Sequence, residues 1–272
     1  MKTIVLALVL VSSSAFAQKT VLSGSDTLGG VMTDAIVAAG LNNQVSYIGG
    51  GSGVGEKALS NGEIALTGLS RPIKAEAIAA ATAKGINVAE HVIGLDGLVI
   101  LVNKNNTATG VDMTTIVRIF KCEITQWQQV PGSGKTGPIK AFRRNDKSGT
   151  TDTFKAISGL KEFGACVTVL AETADIAERT SSDVDAVAYA GLSGKTDKNK
   201  ALAVAAKTGE AFVLPTAGNI RNQKYIFSRK LFVYSASGAK NMTPAEGQLL
   251  ASLLDRSFID PILQSHDFVT LD

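Results

Sequence analysis

The sequence has few of the residues that supply metal or redox chemistry. Its 272 residues include two cysteines, two histidines, one tryptophan and six prolines, and only 6% of them are aromatic. Two thiols cannot complete a structural zinc site on their own. His91 and His266 have no second histidine or cysteine near them in the sequence. We therefore predict structural roles for both histidines and no metal centre.

Excess charge and long apolar runs are also missing. The chain has 27 Lys and Arg residues against 24 Asp and Glu, which leaves a formal charge of +3. A nucleic-acid-binding protein usually carries a strongly basic face, whereas the charged run from Lys195 to Lys200 predicts a solvated loop. No stretch beyond residue 17 approaches the ~18 apolar residues of a membrane helix. We expect no nucleic-acid partner and no membrane span.

Residues 1–17 have the features of a secretory signal peptide. Lys2 precedes an apolar run from Ile4 to Val11, and Ala15 to Ala17 form a small-x-small cleavage site. No cysteine follows this site, so we expect a free periplasmic protein rather than a lipoprotein. In an oxidising compartment, Cys122 and Cys166 are expected to form a disulfide rather than to bind a metal.

Short β-rich runs alternate with alanine-rich stretches, which predicts an α/β fold. Helices that follow strands closely favour mostly parallel sheets, with ligand sites at the carboxyl ends of the strands. Two extended apolar segments, Gly94 to Asn103 and Tyr225 to Ser235, interrupt this alternation and are long enough to connect two lobes. We predict that residues 18–100 and 226–272 form lobe one and that residues 101–225 form lobe two.

Three loops place small and hydroxyl residues directly before a predicted helix. They are Gly24 to Leu28, Gly49 to Gly53, and Ser148 to Thr151. Helix N-termini present unpaired N–H groups, and glycine lets an anion approach them closely. Each loop alone is better explained as an ordinary helix cap. The third loop follows Arg143 to Lys147, where an arginine can donate to an oxyanion or form a surface ion pair. Together the loops predict a shared anionic ligand.

Motifs for nucleotide binding and hydrolysis are incomplete. The segment Gly132 to Thr136 resembles the end of a P-loop, but Gln129 stands where its first glycine is required. A nucleophile elbow around Ser52 would need glycine at Val54. We therefore predict a binding protein and not an enzyme.

Seven segments resemble, in order and spacing, the phosphate-binding protein family of phosphate ABC transporters. They are GSDTL, GGGSGVG, TGLSRP, GLDGLVILVN, IFKCEITQW, RRNDKSGTTDTF and SRKLFVYS. The resemblance implies a type II periplasmic-binding-protein fold, in which two α/β lobes are joined by two crossover strands with a ligand cleft between them. It also implies a monomer without a cofactor that holds inorganic phosphate and delivers it to the membrane permease of an ABC transporter.

The resemblance further implies a set of ligand-binding residues. Lobe one would contribute Thr27, the backbone of Leu28, Ser52 and Ser70, with Ser25 in support. Lobe two would contribute Arg144, Ser148, Gly149 and Thr150, with Asp146 holding Arg144.

One position departs from the family pattern. Better-known members carry an aspartate after the serine of the third lobe-one loop, whereas Ser70 is followed here by Arg71. That aspartate accepts the phosphate proton and disfavours sulfate, which has no proton to donate. In this chain Asp26 or Asp96 could supply the acceptor, or Arg71 could add a cationic contact. Sulfate or molybdate binding, a secreted phosphomonoesterase and a sensor are the alternative functions.

Overall fold

In the computed structural model, which describes residues 19–271, strands and helices alternate along most of the chain. The strands are β1 Thr20–Gly24, β2 Val45–Gly50, β3 Leu66–Leu69, β4 Ile86–Gly97, β5 Val99–Asn103, β6 Gly110–Asp112, β7 Lys140–Arg144, β8 Thr168–Leu170, β9 Ala186–Ala190, β10 Asn199–Ala201, β11 Ala203–Ala205 and β12 Ser228–Gly238. The α-helices are α1 Gly29–Ala38, α2 Ser52–Asn61, α3 Ala75–Ala83, α4 Met113–Phe120, α5 Gly149–Ser158, α6 Thr173–Ser182, α7 Ala217–Arg221, α8 Pro244–Leu254 and α9 Arg256–Ser265. Single 3₁₀ turns span Asp26–Leu28, Trp127–Gln129 and Leu192–Gly194.

These elements confirm the predicted α/β class. The predicted signal peptide, residues 1–17, lies outside the described residues. Within residues 19–271, no helix combines the length and the apolar character that crossing a membrane requires.

The sheets have mixed strand directions, so the expectation of mostly parallel sheets is wrong. Five strands pair in the order β10-β5-β9-β7-β8 and three in the order β3-β12-β4, and two parallel pairs join β1 to β2 and β6 to β11. In the described part of the chain, the pairings of β5 and β12 are antiparallel. Parallel neighbours need a crossover connection, usually a helix. These two strands belong instead to the extended segments that interrupt the strand–helix alternation.

The two extended segments run side by side between the sheets. Strand β4 ends at Gly97 and β5 begins at Val99, so the chain passes from the three-stranded to the five-stranded sheet at Leu98. Strand β12 starts opposite Gly97, where Ser228 is its partner. Among the described residues, β5 to β11 pair only with one another. Lobe boundaries near residues 100 and 226 would produce this pairing, and the division into two lobes stays a prediction.

An aromatic cluster fixes the position of helix α5. The ring of Phe154, from α5, stacks on Tyr189 with 4.2 Å between ring centroids. Phe120 packs edge-on against Phe154 at 5.0 Å, and Phe227 stacks on it at 6.0 Å. The Tyr189 hydroxyl also bonds to Thr151 Oγ1 at 2.8 Å. Burying each such ring contributes about 2 kcal/mol to stability. These contacts therefore stabilise the position of the first turns of α5.

Cys122 and Cys166 form the predicted disulfide. The bridge connects the end of α4 to the loop before β8, and the two cysteines are 44 residues apart in the sequence. Cys122 adopts a positive φ of 65°, which is uncommon for a residue other than glycine. The loop that this bridge closes contains strand β7 and helix α5.

Candidate functional site

Six hydroxyl side chains from four loops meet in one buried group, called here the hydroxyl cluster. Its members are Ser25, Thr27, Ser52, Ser70, Ser148 and Thr150, and none is more than 3% exposed. Ser25 Oγ donates to Ser70 Oγ at 3.0 Å, and Ser52 Oγ lies 3.3 Å from the same atom. Thr27 Oγ1 and Thr150 Oγ1 are 3.2 Å apart. The structure thus brings together six residues that the sequence predicted for the ligand site or its support.

Glycines allow the loop after β2 and the loop after β7 to approach one another closely. A Cβ at Gly149, the first residue of α5, would lie 2.3 Å from Ser52 Oγ. Gly51 has a φ of 101°, which favours glycine, and a Cβ there would lie 2.4 Å from the Lys147 carbonyl oxygen. The Gly53 N–H donates to that carbonyl at 3.0 Å. The N-termini of α2 and α5, with their partial positive charge, therefore both adjoin the hydroxyl cluster.

Leu28 does not present its backbone as predicted. Its N–H donates to the Ser25 carbonyl at 3.1 Å, closing the 3₁₀ turn, and its side chain is fully buried. In a 3₁₀ turn, a backbone carbonyl accepts a hydrogen bond from the N–H three residues further on. The Leu28 N–H is therefore already occupied within the protein. Thr27 is the residue of this turn whose side chain reaches the cluster.

Arg144, the last residue of β7, is buried. It is 1% exposed and donates to Asp26 Oδ2 at 2.5 Å, to Thr173 Oγ1 at 2.8 Å and to the Ala171 carbonyl at 2.9 Å. Asp26 follows β1, so the ion pair connects the loops of two different sheets. These contacts use three of the five N–H groups of the guanidinium.

The predicted support of Arg144 by Asp146 is wrong. Asp146 has a side chain that is 66% exposed and accepts from Arg143 at 3.0 Å. Successive residues of a strand point to opposite faces, so Arg143 and Arg144 leave β7 in opposite directions. Asp146 lies on the side of Arg143, and Asp26 holds Arg144 in place of Asp146.

Asp26 and Glu172 form a pair of carboxyl groups beside Arg144. Asp26 also accepts the Gly50 N–H at 2.7 Å. Burial alone would raise the pKa of Asp26, but hydrogen bonds from Glu172 and Arg144 hold that pKa below its usual value. The hydrogen bond to Asp26 and partial burial raise the pKa of Glu172 to about 7. The two carboxyl groups therefore titrate as a coupled pair that shares a proton between the lowered pKa of Asp26 and the raised pKa of Glu172.

Arg71 joins helices α2 and α5. Its Nε donates to Asp152 Oδ2 of α5 at 2.6 Å, and its Nη1 donates to Glu56 Oε2 of α2 at 2.5 Å and to the Pro72 carbonyl at 2.9 Å. Arg71 is 6% exposed. Within residues 19–271, its Nη2 is buried and has no hydrogen-bond partner. Both N–H groups of this nitrogen are therefore unsatisfied by the protein.

Arg229 also contacts the hydroxyl cluster, although sequence reasoning missed it. Its Nη2 lies 2.6 Å from Asp96 Oδ2, and Asp96 is fully buried. Its Nη1 donates to Thr150 Oγ1 at 3.0 Å and its Nη2 to Thr27 Oγ1 at 3.4 Å. The sequence held a signal for this pair, because Asp96 and Arg229 put opposite charges into the two apolar segments predicted to cross between lobes. Charges in buried strands are rare unless they are paired.

An α/β fold in which two extended segments connect two sheets, with a buried polar cluster between helix N-termini, is the architecture of periplasmic-binding-protein domains. The chain belongs to the PBP superfamily, because the family model for a PBP superfamily domain matches residues 11–255.

Two relatives are similar in sequence to this chain over most of its length. Protein SphX of Synechococcus elongatus is 32% identical over 198 residues, which are 70% of this chain and 58% of SphX. The phosphate-binding protein PstS of Pseudomonas aeruginosa is 29% identical over 250 residues, which are 86% of this chain and 77% of PstS. The chain thus spans a little over half the length of the first relative and about three quarters of the second.

Solved structures share the fold. A Clostridium perfringens substrate-binding protein assigned to phosphate ABC transport, solved with bound phosphate, has a TM-score of 0.80 and 24% identity, and the match covers 94% of this chain and 100% of that chain. An ABC-type phosphate transport receptor from Vibrio cholerae has a TM-score of 0.70 and 21% identity, with 93% and 100% coverage. At these identities the likeness concerns the fold alone.

Proposed function

We propose that this chain is an exported solute-binding protein that captures inorganic phosphate and delivers it to the permease of an ABC importer. The hydroxyl cluster and the buried arginines beside it support this proposal, as do the phosphate-binding proteins among the relatives. A binding role without catalysis, a periplasmic location and a monomeric state are parts of the same proposal. Its ligand residues are those predicted from the sequence, with Arg229 added and with the backbone of Leu28 left out.

The donors around the cluster suit a tetrahedral oxyanion. Serine and threonine hydroxyls are small donors, and the N-termini of α2 and α5 add their dipoles. Arg71, Arg144 and Arg229 supply positive charge, and charge-assisted hydrogen bonds are about twice as strong as neutral ones. A tetrahedral anion has oxygens in four directions and can therefore accept hydrogen bonds from loops of both predicted lobes at once.

The unsatisfied Nη2 of Arg71 is the observation that carries the proposal. Leaving a buried donor unpaired costs about 1–3 kcal/mol. The other nitrogens of Arg71 are held by Glu56 and Asp152, so the guanidinium plane is fixed. We infer that Nη2 donates to a ligand oxygen, which gives Arg71 the cationic contact that the sequence suggested.

Capture would occur by closure of the two predicted lobes. The Arg71–Asp152 and Arg144–Asp26 pairs both cross the proposed lobe boundary. A ligand that accepts hydrogen bonds from both lobes stabilises the closed state over the open one. Micromolar affinity corresponds to about −8 kcal/mol, which several charge-assisted hydrogen bonds can supply after the ligand is dehydrated.

Sulfate is the second candidate ligand. Asp26 and Asp96 were the predicted acceptors for a phosphate proton, and each is already held by an arginine, Arg144 and Arg229 respectively. Each carboxylate is therefore already engaged in an ion pair, which lowers its tendency to receive the proton that distinguishes phosphate from sulfate. Sulfate consequently belongs in the same titration.

Isothermal titration of the phosphate-stripped mature protein with phosphate and then sulfate tests the proposal. We expect tight phosphate binding, and we expect Arg144→Ala to weaken it at least about tenfold, or about 1.4 kcal/mol. The control is Arg118→Ala. The Arg118 side chain is 52% exposed, and among the described residues its ion pair is with Glu123. Binding of sulfate alone would show that sulfate, and not phosphate, is the ligand. Binding of neither anion would refute the proposed function.

A further inference from the structure

A network of charged side chains surrounds Arg71. Glu56 lies on α2, and Arg71 and Lys74 lie in the loop between β3 and α3, all within predicted lobe one. Asp152 lies on α5, which follows β7 of the five-stranded sheet. Its Oδ2 is 2.6 Å from Arg71 Nε and 3.6 Å from Lys74 Nζ. Asp152 therefore brings a carboxylate from predicted lobe two into a group of charges from predicted lobe one.

The two held nitrogens of Arg71 have partners in different predicted lobes. Nη1 donates to Glu56 Oε2 and to the Pro72 carbonyl, both from predicted lobe one. A guanidinium held at one nitrogen alone can still turn about that nitrogen. The hydrogen bond from Nε to Asp152 adds a second point of attachment. Because the guanidinium is planar and rigid, this second contact sets the direction of Nη2, which has no partner among the described residues.

Asp152 moves together with the ligand-binding end of α5. It is the fourth residue of the helix, which begins with Gly149 and Thr150. One helical turn therefore separates Asp152 from the N–H groups that the proposed function assigns to phosphate. When closure brings this helix end to the ligand, it also brings Asp152 to Arg71.

Building on the proposed function, we propose that Asp152 is a positioning residue that directs Arg71 toward phosphate when the predicted lobes close, and so slows phosphate release. Asp152 does not touch the ligand in this role, because it acts through Arg71. In an open state Arg71 would keep its contacts with Glu56 and Pro72 and lose the one to Asp152. Removing one partner of a buried charge pair changes mainly the dissociation rate.

The neighbouring charges do not replace Asp152 as the acceptor for Nε. Lys74 can only donate hydrogen bonds, and its side chain is 52% exposed, so solvent screens its contact with Asp152. Glu56 Oε2 already accepts from Arg71 Nη1 and from the Lys74 N–H, at 2.8 Å for the latter. The effect of Asp152 on the ligand should therefore pass through Arg71.

The rate of phosphate release tests this role. Bound radiolabelled phosphate is chased with excess unlabelled phosphate, titration calorimetry gives Kd, and the two together give the association rate. We expect Asp152→Ala to raise the dissociation rate at least about tenfold and to change the association rate less than about threefold.

Asp183→Ala is the matched control for this substitution. The Asp183 side chain is 24% exposed, against 26% for Asp152, and it pairs with Lys140 at 2.8 Å. Asp183 and Lys140 both belong to predicted lobe two, so closure does not change their contact. Asp183→Ala should therefore leave both rates as they are in the unaltered protein.

A double-mutant cycle separates positioning from a structural role. If Asp152 acts through Arg71, Asp152→Ala should change the dissociation rate less than about twofold in a protein that already carries Arg71→Gln. Asp152 also lies in the first turn of α5, where a carboxylate favours the helix. An effect through the helix alone would raise the rate equally in both backgrounds and overturn the inference.

The unaltered protein provides a measurement that needs no variant. In ¹H–¹⁵N spectra, the Nε–H of Arg71 should exchange with solvent more slowly with phosphate bound than without it. Equal exchange in both forms would overturn the inference even if Asp152→Ala failed to fold. Equal release rates for Asp152→Ala and the unaltered protein would overturn it and leave the proposed function standing. Absence of phosphate binding by the unaltered protein would refute the proposed function, and the inference with it.

Discussion

Replacing Gly149 by alanine should weaken phosphate binding without destabilising the protein. Gly149 begins α5 and faces Ser52, which follows β2, and Ser70, which follows β3. A Cβ at this position would lie 2.3 Å from Ser52 Oγ and 2.8 Å from Ser70 Oγ. Ordinary Cβ contacts begin at 3.4 Å, so the loops would have to separate by about 1 Å to restore normal packing. In the proposed mechanism, this contact exists only when the lobes are closed.

The size of the effect follows from the cost of overpacking. An added methyl group in a well-packed region typically costs about 1–3 kcal/mol. If the closed state alone bears this cost, phosphate affinity falls roughly 5- to 150-fold. Alanine is a better helix former than glycine by up to about 1 kcal/mol. The free energy of unfolding of the ligand-free protein should therefore stay level or rise.

Titration calorimetry and urea denaturation of the same preparation measure the two quantities separately. Gly247→Ala is the matched control, because Gly247 lies inside α8 and a Cβ there would have no neighbour within 4 Å. Equal phosphate affinities for the two alanine variants would refute the close approach of α5 to Ser52. A loss of stability with normal affinity would show that the overlap is relieved within one lobe, which would contradict closure as the source of the contact.

Two further predictions concern pH and the disulfide. The pKa of Glu172 is raised from 4.5 to about 7 in the folded protein, so the folded state binds more protons and stability should fall as the pH rises from 4.5 through 7. Urea denaturation across this window should show a smaller fall for Glu172→Gln, and parallel profiles would contradict the carboxyl pairing with Asp26. Replacing Cys122 and Cys166 by serine should lower the free energy of unfolding by up to about 4 kcal/mol, the chain-entropy value for this loop, with unchanged phosphate affinity. Coincident denaturation curves with the unaltered protein would contradict that estimate.

The hydroxyl cluster was predictable because its members have local signatures. Ser148 caps α5 by accepting the Thr150 and Thr151 N–H groups, and a cap of this kind is visible in the sequence as a hydroxyl residue before a helix. Gly51 provides the positive φ before α2, which the glycine run indicates. Strand–helix order then predicts that each loop lies at the carboxyl end of its own strand, whereas the meeting of loops from different sheets depends on tertiary structure.

The partners of the arginines were not predictable in this way. Arg144 pairs with Asp26, which is 118 residues away in the sequence, whereas Asp146 is two residues away and lies on the wrong face. Arg71 pairs with Asp152, which is 81 residues away. Such pairs depend on how two sheets are placed, and a single sequence carries no local pattern for that placement. The same limit applies to strand direction, because neighbours of β5 and β12 are set by tertiary structure.

The buried arginines also show how this site would distinguish anions. Arg71, Arg144 and Arg229 are each paired with at least one carboxylate among the described residues, so the cleft has no large excess of positive charge. An anion would gain little from net attraction alone, because its charge also meets those carboxylates. Binding must therefore depend on N–H and O–H groups whose directions are fixed by these same carboxylates. A ligand with the wrong geometry or with a proton at a donor-only position would lose those hydrogen bonds, at about 1.5–3 kcal/mol for each one to a charged group.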